Sequence, residues 1–207
     1  MLKEEDQQAI EIIEKKAALR KELRAKRRAL SPDEVTKASE AVADKVTALP
    51  EFSSAELILS YMPAKNELDV SLINRAARAA GKKLAFPLCI ENGGLRLLVP
   101  EDEDAFTVGN YGIMEPDAAR SEEVTAEALD LIIVPAVAFT RGLRRLGQGG
   151  GYYDRLLEKT HAITVGVGYD FQLLDELPLE PHDRSLDIAV TPSELIRPDN
   201  TPDNTTE

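Results

Sequence analysis

Six short apolar runs limit what this chain can fold into. They are "AELILSYM" (55–62), "KKLAFPLC" (82–89), "LRLLVP" (95–100), "LDLIIVPAVAF" (129–139), "AITVGVGY" (162–169) and "LDIAVT" (186–191). Several are apolar at consecutive rather than alternate positions and rich in β-branched residues, the pattern of strands covered on both faces. Helical stretches stand between some of them: 69–83, closed by Gly81, and 152–160. Strands alternating with helices predict a single-domain, three-layer α/β/α fold around a mostly parallel sheet. Residues 95–116 carry no helical signal and read as a hairpin or meander along one edge.

Two helices precede the first run. Residues 4–29 lack Gly and Pro and are rich in Ala, Glu, Lys, Leu and Arg, which predicts one long helix. "LSPDEV" then starts a second, with Ser31 as N-cap, Pro32 at the first helical position and Glu34 as capping-box partner. Leu30 and Val35 are placed as a hydrophobic staple. This helix is expected to reach about Leu49, before Pro50, giving an N-terminal helical hairpin. The domain reads as 1–196, with 1–14 as a helical extension. The polar, Pro-containing tail 197–207 reads as disordered.

The N-terminus "MLKEEDQQ" is charged and lacks the apolar core of a signal peptide. The longest strongly apolar run, Leu131 to Phe139, is far short of the ~20 residues of a membrane helix. A lone cysteine, Cys89, rules out an internal disulfide and fits a reducing, cytoplasmic setting; its apolar run reads it as a small core residue. The net charge of −12 argues against a nucleic-acid binder. Yet eight of the 25 Lys/Arg lie between Lys15 and Arg28, pointing to a site for a small anion. The expected partners are therefore small molecules, with no nucleic acid and no membrane, and a monomer is expected.

One motif stands out. "RRLGQGGGYYDRLL" (144–157) packs Gly147, Gly149, Gly150 and Gly151 into five residues, between a strand and a helix. Ligands of open α/β sheets bind beyond the carboxyl ends of strands, and exposed N–H groups near a helix start attract phosphate. Glycines alone leave an ordinary surface turn open, but this placement and the flanking Arg144 and Arg145 favour an anion or nucleotide cradle. It is not a Walker loop, because Gln148 stands where Lys is required and no Ser/Thr follows. It is not the dinucleotide fingerprint either, for want of the acidic residue ending a second strand.

"AFTRGLRRLGQGGGYYDRLL" closely resembles the signature of the 5-formyltetrahydrofolate cyclo-ligases (methenyltetrahydrofolate synthetases). Three further segments resemble that family in order and spacing. "KKAALRKELRAKRRALS" matches its N-terminal basic helix, "SYMPAKNELDVSLI" its Glu-containing loop, and "VGVGYDFQLLDELPLEPHDRSLDIAVT" its C-terminal segment. The resemblance spans roughly residues 15 to 195. It implies an enzyme that uses MgATP to convert 5-formyltetrahydrofolate to 5,10-methenyltetrahydrofolate through a phosphorylated formyl group, releasing ADP and phosphate. The rival readings are a non-catalytic nucleotide- or folate-binding relative and a sugar-phosphate isomerase-like α/β enzyme. Neither explains Lys16, Arg20, Arg145, Asp154 and Asp187 together.

Carried over residue by residue, the resemblance implies ATP contacts from Lys16, Arg20, Arg145, Leu146, Gly147, Gln148, Gly149, Gly150, Gly151, Tyr152 and Tyr153. It implies substrate contacts from Met62, Glu67, Gln148, Gly149, Gly150, Gly151 and Tyr152, with Arg145 and Tyr152 catalytic. Asp154 and Asp187 are the implied Mg²⁺ ligands, ahead of their neighbour Asp183. Adjacent residues at a helix start diverge, so one of Tyr152 and Tyr153 is expected in the core. Arg24 and Arg27 are left as solvated continuations of the basic stripe, and His161 and His182 as non-catalytic. Gln148 departs from the family pattern, which often has an aromatic or basic side chain there.

Overall fold

The structure is a computed structural model that describes residues 4–64, 66–90, 94–109, 112–178, 180 and 183–198. Helix α1 (Glu4–Arg28) is followed by α2 (Pro32–Thr47), whose start is as the sequence predicts. The Ser31 hydroxyl accepts from the Glu34 N–H, and the Glu34 carboxylate accepts from the Ser31 N–H at 2.8 Å. The helix stops two residues before Leu49. Leu49 is held extended ahead of proline (φ −67, ψ 135) and caps a separate short helix, α3 (Pro50–Ser54).

Strand β1 (Leu57–Leu59), α4 (Ser71–Ala79) and β2 (Lys83–Cys89) form a β-α-β unit with its two strands parallel, and Gly81 at φ +75 follows the end of α4. The edge then runs through β3 (Leu95–Pro100), the hairpin β4 (Phe106–Val108) and β5 (Met114–Pro116), and β6 (Ser121–Val124). The long 129–139 run divides into β7 (Leu131–Pro135) and β8 (Ala138–Thr140). At the break, the Gln172 side-chain amide donates to the carbonyls of both Ala136 and Val137 at 2.8 Å, replacing ladder partners. β9 (Arg145–Leu146), α5 (Tyr152–Leu157), β10 (Ile163–Val167), β11 (Leu173–Leu174), β12 (Ile188–Val190) and β13 (Leu195–Ile196) complete the fold.

The main sheet has eight strands in the order β13-β12-β10-β7-β1-β2-β3-β6. β12, β10, β7, β1 and β2 are parallel, and β3, β6 and β13 are antiparallel additions at the edges. From β1 the chain goes to β2 on one side and to β7 on the other, so the order reverses between β1 and β7. A smaller sheet, β11-β8-β9, leans on the second face.

Consecutive apolar residues serve opposite faces. Leu131 and Ile133 join Val42, Val46 and Ile73 under α2 and α4, while Ile132 and Val134 join Leu143 and Leu156 under the β8–β9 turn and α5. The two N-terminal helices separate rather than pair. Leu23 of α1 packs on Val137, Ala138 and Leu146, whereas α2 lies on the main core. Cys89 is exposed rather than core, because it ends β2 just where the sheet stops. Arg197 holds Glu51 at 2.6 and 2.9 Å, so the expected disordered tail begins with an anchored residue. Its residues 199–207 lie outside those described. Among the described residues no helix is long and apolar enough to cross a membrane.

Ile133 is fully buried in the centre of β7. We predict that Ile133→Ala lowers unfolding free energy by about 2–5 kcal/mol, read from the urea midpoint. A loss under about 1 kcal/mol would contradict this packing.

Candidate active site

Two depressions adjoin at the carboxyl ends of β1, β2 and β7, where the strand order reverses. This is where open α/β sheets bind ligands. The first, about 230 Å³, is lined by Lys16, Arg20, Arg145, the glycine loop through Asp154, Glu180 and Asp183. The second, about 680 Å³, has apolar walls from Tyr61, Met62, Phe86 and Met114, with Glu67 and the arginines 24, 27 and 28 around it. Pro87, Cys89, Pro135, Gln148 and Tyr153 line both and form the shared wall.

The glycine loop follows a backbone path that requires glycine. Gly149 and Gly151 have φ +106 and +65, a region closed to most side chains, and Gly151 turns the chain into α5. A Cβ at Gly147 would stand 2.8 Å from the Arg145 guanidinium. Helix α1 holds the outer side of this loop. Arg20 Nε donates to the Gly147 carbonyl at 2.8 Å, and Arg24 Nη2 donates to the Gln148 carbonyl at 3.1 Å. A trans peptide points N–H opposite to C=O, so the N–H groups of Gln148 and Gly149 face away from α1. Burial and the neighbouring Arg24 lower the Arg20 pKa from its usual value.

Arg24 and Arg27 face the body of the protein, which corrects their reading as solvated. Lys16, Leu23 and Arg27 are buried on one side of α1. Lys16 Nζ sits between Glu180 and Asp183 carboxylates at 2.7 and 2.6 Å. Arg24 holds the Gln148 side chain, and Arg27 Nη1 pairs with Glu67 Oε1 at 3.1 Å. The signal in the sequence is Leu23 standing in register with these cations; it marks the face that meets the body.

Arg145 is 4% exposed, donates Nη2 to Asp154 Oδ1 at 2.5 Å, and lies 5.8 Å from the Tyr153 ring centroid. Tyr153 rests against the core, and its buried hydroxyl has no hydrogen-bond partner among the described residues. Burial pushes that phenol well above its usual pKa. Tyr152 lies in the first depression only, with the Arg155 guanidinium 5.4 Å from its ring centroid. Of the expected substrate contacts, Met62, Glu67 and Gln148 line the second depression, whereas Gly149, Gly150, Gly151 and Tyr152 line only the first.

Asp154 and Asp187 are not brought into one depression. Asp187 Oδ2 accepts from the Thr164 N–H and hydroxyl at 2.8 and 2.7 Å, at the amino ends of β10 and β12. There it lines a separate polar hollow of about 750 Å³ with the exposed His161. This placement corrects the reading of Asp154 and Asp187 as a shared Mg²⁺ pair: Asp187 precedes its strand, and the nucleotide-type loop follows one. Among the described residues no group of three or more His, Cys, Asp and Glu is arranged to hold a metal. Asp183, which reaches both hollows, is the nearer carboxylate to the loop. His182 lies outside the described residues.

Comparison with known proteins gives a consistent result. The model of the 5-formyltetrahydrofolate cyclo-ligase family matches residues 12–192. The chain is 32% identical over 178 residues to the 5-formyltetrahydrofolate cyclo-ligase of Escherichia coli K12, covering 84% of this chain and 98% of that one. It is 30% identical over 212 residues to the mitochondrial 5-formyltetrahydrofolate cyclo-ligase of Arabidopsis thaliana, covering 89% and 76%. Among solved structures, the Aquifex aeolicus 5,10-methenyltetrahydrofolate synthetase superposes with a TM-score of 0.79 at 37% identity, covering 88% and 92%. The Mycoplasma pneumoniae 5,10-methenyltetrahydrofolate synthetase gives 0.71 at 26% identity, covering 86% and 98%.

The Arg145–Asp154 pair is the better buried of the two aspartate interactions. We predict that Asp154→Ala costs about 3 kcal/mol by stranding a buried guanidinium. Asp187→Ala, which removes hydrogen bonds at an exposed carboxylate, should cost about 1 kcal/mol. Equal losses in urea unfolding would refute this ranking.

Proposed function

The chain belongs to the 5-formyltetrahydrofolate cyclo-ligase family, and we propose that it closes 5-formyltetrahydrofolate to 5,10-methenyltetrahydrofolate at the expense of ATP. The observation that carries this reading is the shared wall. A cation- and glycine-lined hollow suited to a polyphosphate opens beside a larger apolar hollow with an acid, suited to a flat ring with paired N–H donors. The reaction requires that juxtaposition. The formyl oxygen attacks the γ-phosphorus and ADP leaves; N10 then closes on the activated carbon and releases its proton, and phosphate departs with the former formyl oxygen. Phosphoryl transfer depends chiefly on positioning and charge neutralisation.

In this proposal Lys16, Arg20 and the loop Gly147–Tyr153 receive the nucleotide, with Leu146 behind them. Lys16 reaches the phosphates by exchanging its carboxylate partners. Arg145 supplies fixed positive charge under the loop, and Tyr152 covers the nucleotide side. Met62 packs on the folate ring, and Glu67 accepts its N–H groups. Tyr153 stays protonated, so its ring, not a phenolate, separates the two ligands. Magnesium fits the donor set at Asp154, since one carboxylate with phosphate oxygens and water suits this ion. There it would offset phosphate charge. Asp187, occupied by Thr164, does not fit. The reading places the enzyme in the cytoplasm, as a monomer acting on small molecules.

The decisive assay mixes purified protein, 5-formyltetrahydrofolate and MgATP and follows the near-ultraviolet absorbance of the methenyl product. An ATP-dependent rise is expected, and its absence would refute the activity. Glu67→Ala is predicted to raise the folate KM about 10- to 100-fold, the worth of hydrogen bonds to a charged acceptor. An unchanged KM would remove Glu67 from the site. Asp154→Asn should raise the Mg²⁺ concentration needed for half-maximal rate; an unaltered metal dependence would exclude Asp154 as its ligand.

A further inference from the structure

A single side chain ties the two hollows together. The Gln148 amide is engaged at both ends: Oε1 accepts from Arg24 Nε at 3.0 Å and Nη2 at 2.6 Å, and Nε2 donates to Glu67 Oε1 at 3.0 Å. Glu67 Oε1 also takes Arg27 Nη1 at 3.1 Å, and its Oε2 accepts from the Ala64 N–H at 3.2 Å. The acid of the folate hollow is therefore oriented from three directions, one of which is the nucleotide loop.

The chemistry of this link admits few substitutes. It must accept from a guanidinium and donate to a carboxylate at once, which a neutral amide can do. A carboxylate there would keep Arg24 and repel Glu67. A lysine or arginine would keep Glu67 and repel Arg24. The backbone of the same residue belongs to the loop, between the carbonyls that Arg20 and Arg24 hold.

We propose that Gln148 is a positioning residue that couples nucleotide binding to folate binding. A nucleotide seated on the loop fixes the residue 148 backbone. The amide then stays on Glu67 and presents its carboxylate to the folate ring. By linkage, folate tightens the nucleotide by the same factor. This rests on the folate reading of the larger hollow.

Isothermal titration calorimetry of the full chain with 5-formyltetrahydrofolate, with and without Mg²⁺ and a non-hydrolysable ATP analogue, tests it. In the wild type the analogue should tighten folate by about fivefold or more, the lower end of ordinary coupling. In Gln148→Leu, and in Gln148→Glu, which retains a partner for Arg24, the ratio should fall to about one. Thermal unfolding of both variants checks that they are folded. A wild-type ratio of one, or a ratio preserved in both variants, overturns the coupling while leaving the activity standing. Failure of the wild type to bind 5-formyltetrahydrofolate at all overturns the substrate reading and the coupling with it.

Discussion

A parallel sheet buried on both faces leaves its ends as the place where polar chemistry can collect. Leu131, Ile132, Ile133 and Val134 of β7 each place their side chain in one core or the other. Nothing polar can project from the middle of such a strand without losing water and a partner. The reversal of strand order between β1 and β7 then separates the connections that would otherwise cover the strand ends. Tyr61, Met62, Pro87 and Pro135 surround that gap, and both hollows grow from it. The site's location follows from packing before any functional residue is considered.

Helix α1 closes this gap with a polar face. A helix whose buried positions include Lys16 and Arg27 has little apolar area to hold it, since Leu23 is its main contact with the β8–β9 hairpin. Its other attachments include ionic and hydrogen-bonded ones: Lys16 to Glu180 and Asp183, Arg20 and Arg24 to the glycine loop, Arg27 to Glu67. Together they join α1 to three segments of the site. If ligands bind as proposed, a helix held this way docks through the groups they would use, so its docking and ligand occupancy would be coupled by the same atoms.

Much of this was legible in the residues. Consecutive β-branched positions announced strands covered on both faces, and Ser31, Pro32 and Glu34 announced a helix start that the structure reproduces bond for bond. What escaped were features set by distant partners. The division of 129–139 depends on Gln172, more than thirty positions away, taking two carbonyls. The burial of Arg27 depends on Glu67, and a run of cations with no visible partner reads as solvated. Asp187 matched a family position in order along the chain. Whether it faces the loop is decided by which end of β12 it precedes, and only the sheet direction settles that.

Under the proposed MgATP reading, the balance of charge within the site bears on what a divalent ion would contribute. Among the described residues, Lys16, Arg20, Arg24, Arg27, Arg28 and Arg145 line the two hollows with Glu67, Glu115, Asp154, Glu180 and Asp183, so six cations stand with five carboxylates. The chain as a whole carries −12, and the bulk field offers no further attraction. In that reading an entering triphosphate meets Lys16, Arg20, Arg24 and Arg145 already engaged by protein acceptors. Binding is thus an exchange of partners, in which each cation drawn to phosphate uncovers a carboxylate or carbonyl. Lys16 shows the difficulty most clearly, since freeing it breaks its ion pairs with both Glu180 and Asp183. In the proposed reading a metal ion arriving with the nucleotide would offset part of the phosphate charge, so that fewer cations have to exchange partners. Helix α1 then keeps its Arg24 and Arg27 contacts while Lys16 turns to the phosphates.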